Sequence, residues 1–305
     1  MFLDRYGILT GVSTRKEYGM KRIGMTILAV LLAVTCSADV EVQKKAKLKA
    51  AADKSPAVQK NGEATACPDA KLQCRDMELY LLIGQSNMAG RGVLKKANRV
   101  GTDRVYKFGK DGVWVEAVEP IHFDKRAAGA GLAASFARTM ADRDPSARIG
   151  LVPCAVGGTR IDTWVKGGVN YTKAVARMRK ALEGGVLKGI LWHQGESDAV
   201  DPARTAAWAE KFAGMVAALR AEFGDVPVVA GELGRYLDGY VKKSVDWRAL
   251  NSQLHGLKGR IPSFAVVSSE GLTAKSDKLH LNTESLRTFG ERYASAMIEL
   301  KKDRQ

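Results

Sequence analysis

Five short runs in this chain are apolar on consecutive rather than alternate positions: residues 79–83, 149–152, 189–192, 226–230 and 264–267. Such runs suit strands covered on both faces, where neither row of side chains meets water. Between them the apolar residues recur every three or four positions, at 132–141, 171–182, 203–223, 241–257 and 284–301, which is the period of an amphipathic helix. The alternation predicts one α/β domain with a parallel sheet of about five strands and helices on both faces. No internal repeat is visible. In a sheet of this kind ligands bind beyond the carboxyl ends of the strands, so functional side chains are expected just after strand ends.

The pattern breaks down upstream. Met20-Lys21-Arg22 precedes an apolar stretch at 25–34, followed by the small residues Cys36-Ser37-Ala38. That stretch is too short to span a bilayer stably, and the arrangement is that of a secretory signal peptide. Residues 1–38 are therefore read as a leader, with Met20 a candidate start. The expectation is export, periplasmic or secreted, with no membrane span left after leader removal. A lipid anchor on Cys36 fits less well, because Ala33-Val34-Thr35 matches a lipobox poorly. Residues 39–76, rich in Lys, Ala, Gln and Asp, hold too few large apolar groups to offset ordering entropy and are read as a polar linker. The folded domain is expected over 77–305.

The 305 residues are 46% apolar, enough for a sizeable core. The formal charge is +15; residues 1–38 carry five Lys/Arg and two Asp/Glu, a net +3, so the remainder keeps +12. A basic balance suits anionic partners, but no nucleic-acid motif is present and none is expected as a partner. Cys67 and Cys74 are close enough in sequence either to pair or to remain two thiols, and Cys154, in the apolar stretch 150–155, reads as an inert buried thiol.

The first strand run breaks into Gly84-Gln85-Ser86-Asn87-Met88-Ala89-Gly90. Two glycines permit a tight turn, and a helix starting at the serine would aim free N–H groups at a reacting oxygen. The plainer reading of Ser86 is a helix N-cap. The turn does not satisfy G-x-S-x-G, which argues against the α/β-hydrolase elbow. Near the far end, Asp277-Lys278-Leu279-His280 lets a carboxylate meet an imidazole at Nδ1 while Nε2 faces outward. A serine, a histidine and an aspartate so placed are the inventory for nucleophilic acyl transfer. His193 is the rival base; His122 and His255 lack a comparable neighbourhood.

Gly157-Gly158-Thr159 and His193-Gln194-Gly195-Glu196-Ser197-Asp198 each follow a strand run. Glycine N–H groups and the Gln194 amide have the chemistry of oxyanion donors. Ionised Glu196 and Asp198 only accept, so they are assigned to holding loops. The paired carboxylates also raise glycosidase chemistry, which would leave the serine, histidine and amide without roles. His193, Glu196 and Asp198 form the one conceivable metal-ligand set, and no metal is expected.

Four segments carry a resemblance: 84–90, Gly157-Gly158-Thr159-Arg160-Ile161, 192–198 and 277–280 are similar to the four blocks of SGNH-type hydrolases. They look most like the sialate O-acetylesterase and carbohydrate esterase family 6 (acetylxylan esterase) group, and 129–137 resembles another segment of that group. The similarity runs from about Glu78 to Met297. It implies a three-layer, flavodoxin-like sandwich, no cofactor, and an acetylated carbohydrate as substrate. It further implies Ser86 as nucleophile, His280 as base, Asp277 as its partner, and Ser86, Gly158 and Gln194 as oxyanion donors with Gly157 beside them. Asn87 and Glu196 are expected to support these. The superfamily's third-block asparagine is missing, and in this branch Gln194 stands in for it. Arg160 and Arg91 suit a substrate carboxylate, as on sialic or glucuronic acid, and Trp164 a sugar ring. Xylan-type and sialic acid substrates both stay open, as do another small acyl ester and an inactive carbohydrate-binding relative.

Overall fold

The structure, a computed structural model, describes residues 76–95 and 103–303. The leader, the linker as far as Arg75, and the Cys67 and Cys74 alternatives lie outside the described residues.

Seven strands form one sheet in the order β3-β2-β4-β1-β5-β6-β7. The five expected runs are β1 (Met77–Gly84), β4 (Ile149–Pro153), β5 (Gly185–His193), β6 (Val228–Gly231) and β7 (Phe264–Val267), and all neighbours among them pair in parallel. β6 starts two residues late because Pro227 has no N–H for the ladder. Two strands were not anticipated: β2 (Val105–Phe108) pairs parallel with β4, and β3 (Trp114–Glu116) turns back antiparallel as the sheet edge. They are short and interspersed with Lys107, Lys110 and Asp111, so they give no continuous apolar run.

β1 shows why the central runs are apolar throughout. Leu79, Leu81 and Ile83 face a layer made by α3 (Val169–Ala181), α4 (Pro202–Phe223) and α5 (Trp247–Gly256). Tyr80 and Leu82 face the opposite layer, made by α2 (Leu132–Arg143) and α6 (Thr283–Lys302). The helix expected at 241–257 is shorter. Asp246 caps α5 by accepting the Ala249 N–H at 3.0 Å, and Val241, 96% exposed, lies on the preceding turn.

β1 is flanked by β4 and β5, so the chain's winding changes direction there and a crevice opens at the carboxyl ends. The connection after β1 carries the short helix α1 (Ser86–Ala89); the connections after β4, β5 and β7 carry the other three sequence blocks.

Candidate active site

Ser86 owes its position to two glycines. A Cβ on Gly84 (φ +132°) would stand 2.1 Å from the His193 carbonyl oxygen, and one on Gly90 (φ +87°) 2.6 Å from that of Ala130. Only glycine fits either place, so β1 can end hard against β5 and α1 can press onto the 129–131 segment. The Gln85 N–H donates to the His193 carbonyl at 2.8 Å. Ser86 is thus the first residue of α1 rather than its N-cap, that position being Gln85 with no side-chain cap bond.

His280 Nε2 lies 3.1 Å from Ser86 Oγ, and its Nδ1 lies 2.9 Å from Asp277 Oδ2. Asp277 Oδ1 also accepts the Leu279 and His280 N–H groups at 3.0 and 2.9 Å. Partial burial pushes the Asp277 carboxyl up, but the bonds from the His280 backbone, the His280 ring and the Leu279 backbone outweigh it and bring the carboxyl down to about 2. Ionised Asp277 accepts a hydrogen bond from Nδ1–H, which holds the ring in the tautomer whose bare Nε2 can accept from the Ser86 hydroxyl. Asp277 does not cap α6; Asn282 does, accepting the Ser285 N–H at 2.8 Å.

Asn87, 1% exposed, stitches the loops together. Its Nδ2 donates to Glu196 Oε1 at 2.6 Å and to the Leu279 carbonyl at 3.3 Å, while its Oδ1 accepts the Leu281 N–H at 3.0 Å. Burial works against the Glu196 charge, yet His193 and Asn87 hold its carboxyl below the ordinary range. His193, the rival base, is buried, with Nε2 3.6 Å from Glu196 Oε1 and Nδ1 3.4 Å from the Tyr293 hydroxyl. His255 pairs with Glu232 at 2.6 Å. Burial pushes His122 down to about 4.

Several sequence assignments change. The Gly157 N–H donates to Asp124 Oδ2 at 2.8 Å, so it is not free for an oxyanion. Gln194 is 1% exposed and lies behind the cleft wall. Its Nε2 donates to the Thr159 carbonyl at 3.0 Å and to Asp198 Oδ2, and its Oε1 accepts Trp208 Nε1–H at 3.0 Å. Every polar atom of that amide is engaged, so it steadies the Gly158 turn from behind. Of the expected oxyanion residues, Ser86 and Gly158 line the cleft; Ser86, at the first helical position, has an N–H without an intrahelical acceptor, and Gly158 sits at φ +79°. Trp164 is 1% exposed, edge-on to Trp192 at 5.7 Å, and donates to Thr159 Oγ1 at 3.0 Å; it is core, not a sugar platform. Arg91 is committed to Asp124. Asp198, as expected, accepts a loop N–H, that of Ile161 at 2.9 Å. Cys154 is partly buried, its thiol pushed up to about 12 by burial.

Ser86, His280, Gly158 and Arg160 share a cleft of about 520 Å³. Lys125, Lys243 and Arg204, the last paired with Asp201 at 3.2 Å, also line it; apart from Arg91, held by Asp124, its charged lining is Glu196 and these cations. Sequence reading missed Asp124 and three of the four rim cations. They come from loops and, for Arg204, from the first turn of α4, none of them in a motif, and only proximity in the fold joins them.

Residues 76–299 match the family described as carbohydrate esterase, sialic acid-specific acetylesterase. A probable carbohydrate esterase of Arabidopsis thaliana is 33% identical over 243 residues, covering 72% of this chain and 90% of the relative. The solved structure of that plant protein superposes with a TM-score of 0.67 at 30% identity, over 73% of this chain and 98% of the other. NanS gives 0.60 at 16% identity over 75% and 98%, a likeness of fold. A carbohydrate acetylesterase from Xanthomonas citri gives 0.57 at 22%, over 74% of this chain and 57% of its own.

The Asp277 geometry fixes a pH dependence. A carboxyl at about 2 in the fold, against an ordinary value near 3.9, contributes stability that is present above pH ~4 and lost as pH falls through about 2. Thermal melts of wild type and Asp277→Asn should therefore differ at pH 5–7 and converge as pH approaches 2. A gap independent of pH would contradict the ionised, hydrogen-bonded carboxylate.

Proposed function

Since the chain belongs to the carbohydrate esterase family of sialic acid-specific acetylesterases, we propose that it removes O-acetyl groups from a carbohydrate through an acetyl-enzyme on Ser86. The observation that carries this reading is the unbroken series Ser86 Oγ, His280, Asp277, at 3.1 and 2.9 Å, opening into the cationic cleft.

The steps follow from the geometry. His280 Nε2 takes the hydroxyl proton as Ser86 Oγ bonds to the acetyl carbonyl carbon, and the carbonyl π electrons move onto oxygen. The Ser86 and Gly158 N–H groups meet that oxyanion, and Asp277 stabilises the imidazolium. When the tetrahedral centre collapses, the ester C–O bond breaks, and the sugar oxygen leaves with the proton from His280. Water then repeats the sequence and releases acetate, regenerating Ser86.

We read the substrate as an acidic sugar. Lys125, Arg160, Arg204 and Lys243 surround the cleft; such a rim attracts a carboxylate, and an arginine can hold it with two parallel hydrogen bonds. The family description, sialic acid-specific, supports this choice over a neutral xylan-type ester. Export of the enzyme, read from the leader pattern, would put it where extracellular glycans are found.

Ser86→Ala and His280→Ala should each reduce acetyl-ester turnover to a similar floor, and the double variant should fall no lower, because nucleophile and base act as one unit. A double variant much slower than either single one would contradict the pairing.

Arg160→Gln should raise KM for an O-acetylated acidic sugar by about two- to fivefold, the worth of one exposed ion pair, with kcat unchanged. KM for a neutral acetylated xylooligosaccharide should stay constant, and added salt should weaken binding of the acidic substrate alone. Equal effects on both substrates would remove the charge argument.

A further inference from the structure

Asp124 belongs to no sequence block, yet its side chain is 2% exposed and touches the catalytic machinery from behind. Arg91 Nη2 donates to Asp124 Oδ2 at 2.6 Å and Nη1 to Oδ1 at 3.3 Å. Arg91 Nη1 also reaches the Gly90 carbonyl, the C-cap of α1, at 2.8 Å. On the other side Asp124 Oδ2 accepts the Gly157 N–H at 2.8 Å. Two residues earlier the buried His122 ring bonds to the Leu82 backbone, which ties the loop to β1. The pair thus spans the helix that carries Ser86 and the turn that carries Gly158.

A buried ion pair is poor evidence of stabilisation, because desolvation cancels much of its attraction. Its geometry here answers a different need. The Gly157–Gly158 turn has no regular structure to fix it, and Gly158 sits at φ +79°, so the direction of its N–H depends on what grips Gly157. Burial pushes the Asp124 carboxyl up, but Arg91 and the Gly157 N–H more than compensate, so it stays ionised and accepts strongly. A bare carboxylate beside a developing oxyanion would raise the barrier; Arg91 neutralises it. The contact is tight as well: a Cβ on Gly157 would stand 2.4 Å from Arg91 Nη2 and 3.2 Å from Asp124 Oδ2.

We propose that Asp124, clamped by Arg91, is the positioning residue of the oxyanion turn: it grips the Gly157 N–H so that the next amide, Gly158's, points at the acetyl oxyanion. The inference rests on the serine-esterase reading above. It assigns the Arg91 guanidinium to the enzyme's own turn rather than to a substrate carboxylate.

The test uses the full chain, with kcat and KM measured separately on an acetylated sugar, together with the affinity of a trifluoromethyl ketone that adds to Ser86 as a tetrahedral adduct. Asp124→Ala should lower kcat by about 100-fold, the cost of misplacing one oxyanion donor, with KM near the wild-type value. Ketone affinity should fall in parallel. Asp124→Asn should recover part of the loss, since its amide oxygen can still accept the Gly157 N–H, and the acid limb of the pH profile should keep its place. Gly157→Ala leaves both charged residues intact but wedges the turn off the clamp, so it should lower kcat and ketone affinity together. It decides the matter if the Asp124 variants fail to fold. Wild-type kcat in folded Gly157→Ala, or a loss confined to KM with ketone affinity intact, would overturn the proposal. Ser86→Ala separates the two layers: turnover at the wild-type rate in that variant removes the serine reading itself, whereas an inactive Ser86→Ala beside fully active Asp124 variants removes only this inference.

Discussion

The site depends on one close approach, that of the β1 and β5 ends. With no side chain at Gly84 the two strands, after a one-residue register shift between Leu79 and Tyr80, pair to their last residues, Gly84 opposite His193, and the Gln85 N–H closes on the His193 carbonyl at 2.8 Å. Ser86 therefore leaves the middle of the sheet at a fixed height and starts a helix there. Everything else is arranged around that point: the Gly158 turn from β4, the Glu196 loop from β5, and the His280 loop that follows β7.

Two buried polar systems convert this position into geometry. On one side Asn87 joins α1 to Glu196 and to the backbone on both sides of His280. On the other the Arg91–Asp124 pair joins α1 to the Gly158 turn. Each buries charge or amide groups, whose desolvation is costly unless every partner is present. Cooperative networks of this kind hold Ser86, His280 and the Gly158 turn, from three separate connections, in one arrangement. Asp277 differs: it is 41% exposed at the lip, and it stays ionised because three hydrogen bonds converge on it.

Much of this was legible in the sequence, for physical reasons. Short continuous apolar runs between helix-period segments suit doubly covered strands, and the positions after such strands face the crevice. Ser86, Asp277 and His280 were readable because a glycine-flanked turn and a two-residue gap suit their chemistry and the resemblance of the blocks that hold them singled them out. The edge hairpin at 105–116 was not, since its strands are short and one face is only half covered. Gln194, Gly157 and Trp164 show a different limit. Position in the chain does not say which way these groups turn, and that is decided by Asp198, four residues beyond Gln194, and by Trp208, Asp124 and Trp192, which arrive from other segments. Lys125, Arg204, Lys243 and Asp124 were hidden for the same reason.

The central claim is a covalent acetyl-enzyme on Ser86, and chemical trapping tests it most directly. The protein would be mixed with an excess of an acetylated sugar, quenched in acid during turnover, digested, and its peptides weighed. The account predicts one acetyl group on the peptide that contains Ser86, absent in Ser86→Ala and depleted when substrate is exhausted. Steady turnover with no acetylated Ser86 peptide at any quench time, or with the acetyl group on another residue and unaffected by Ser86→Ala, would contradict it.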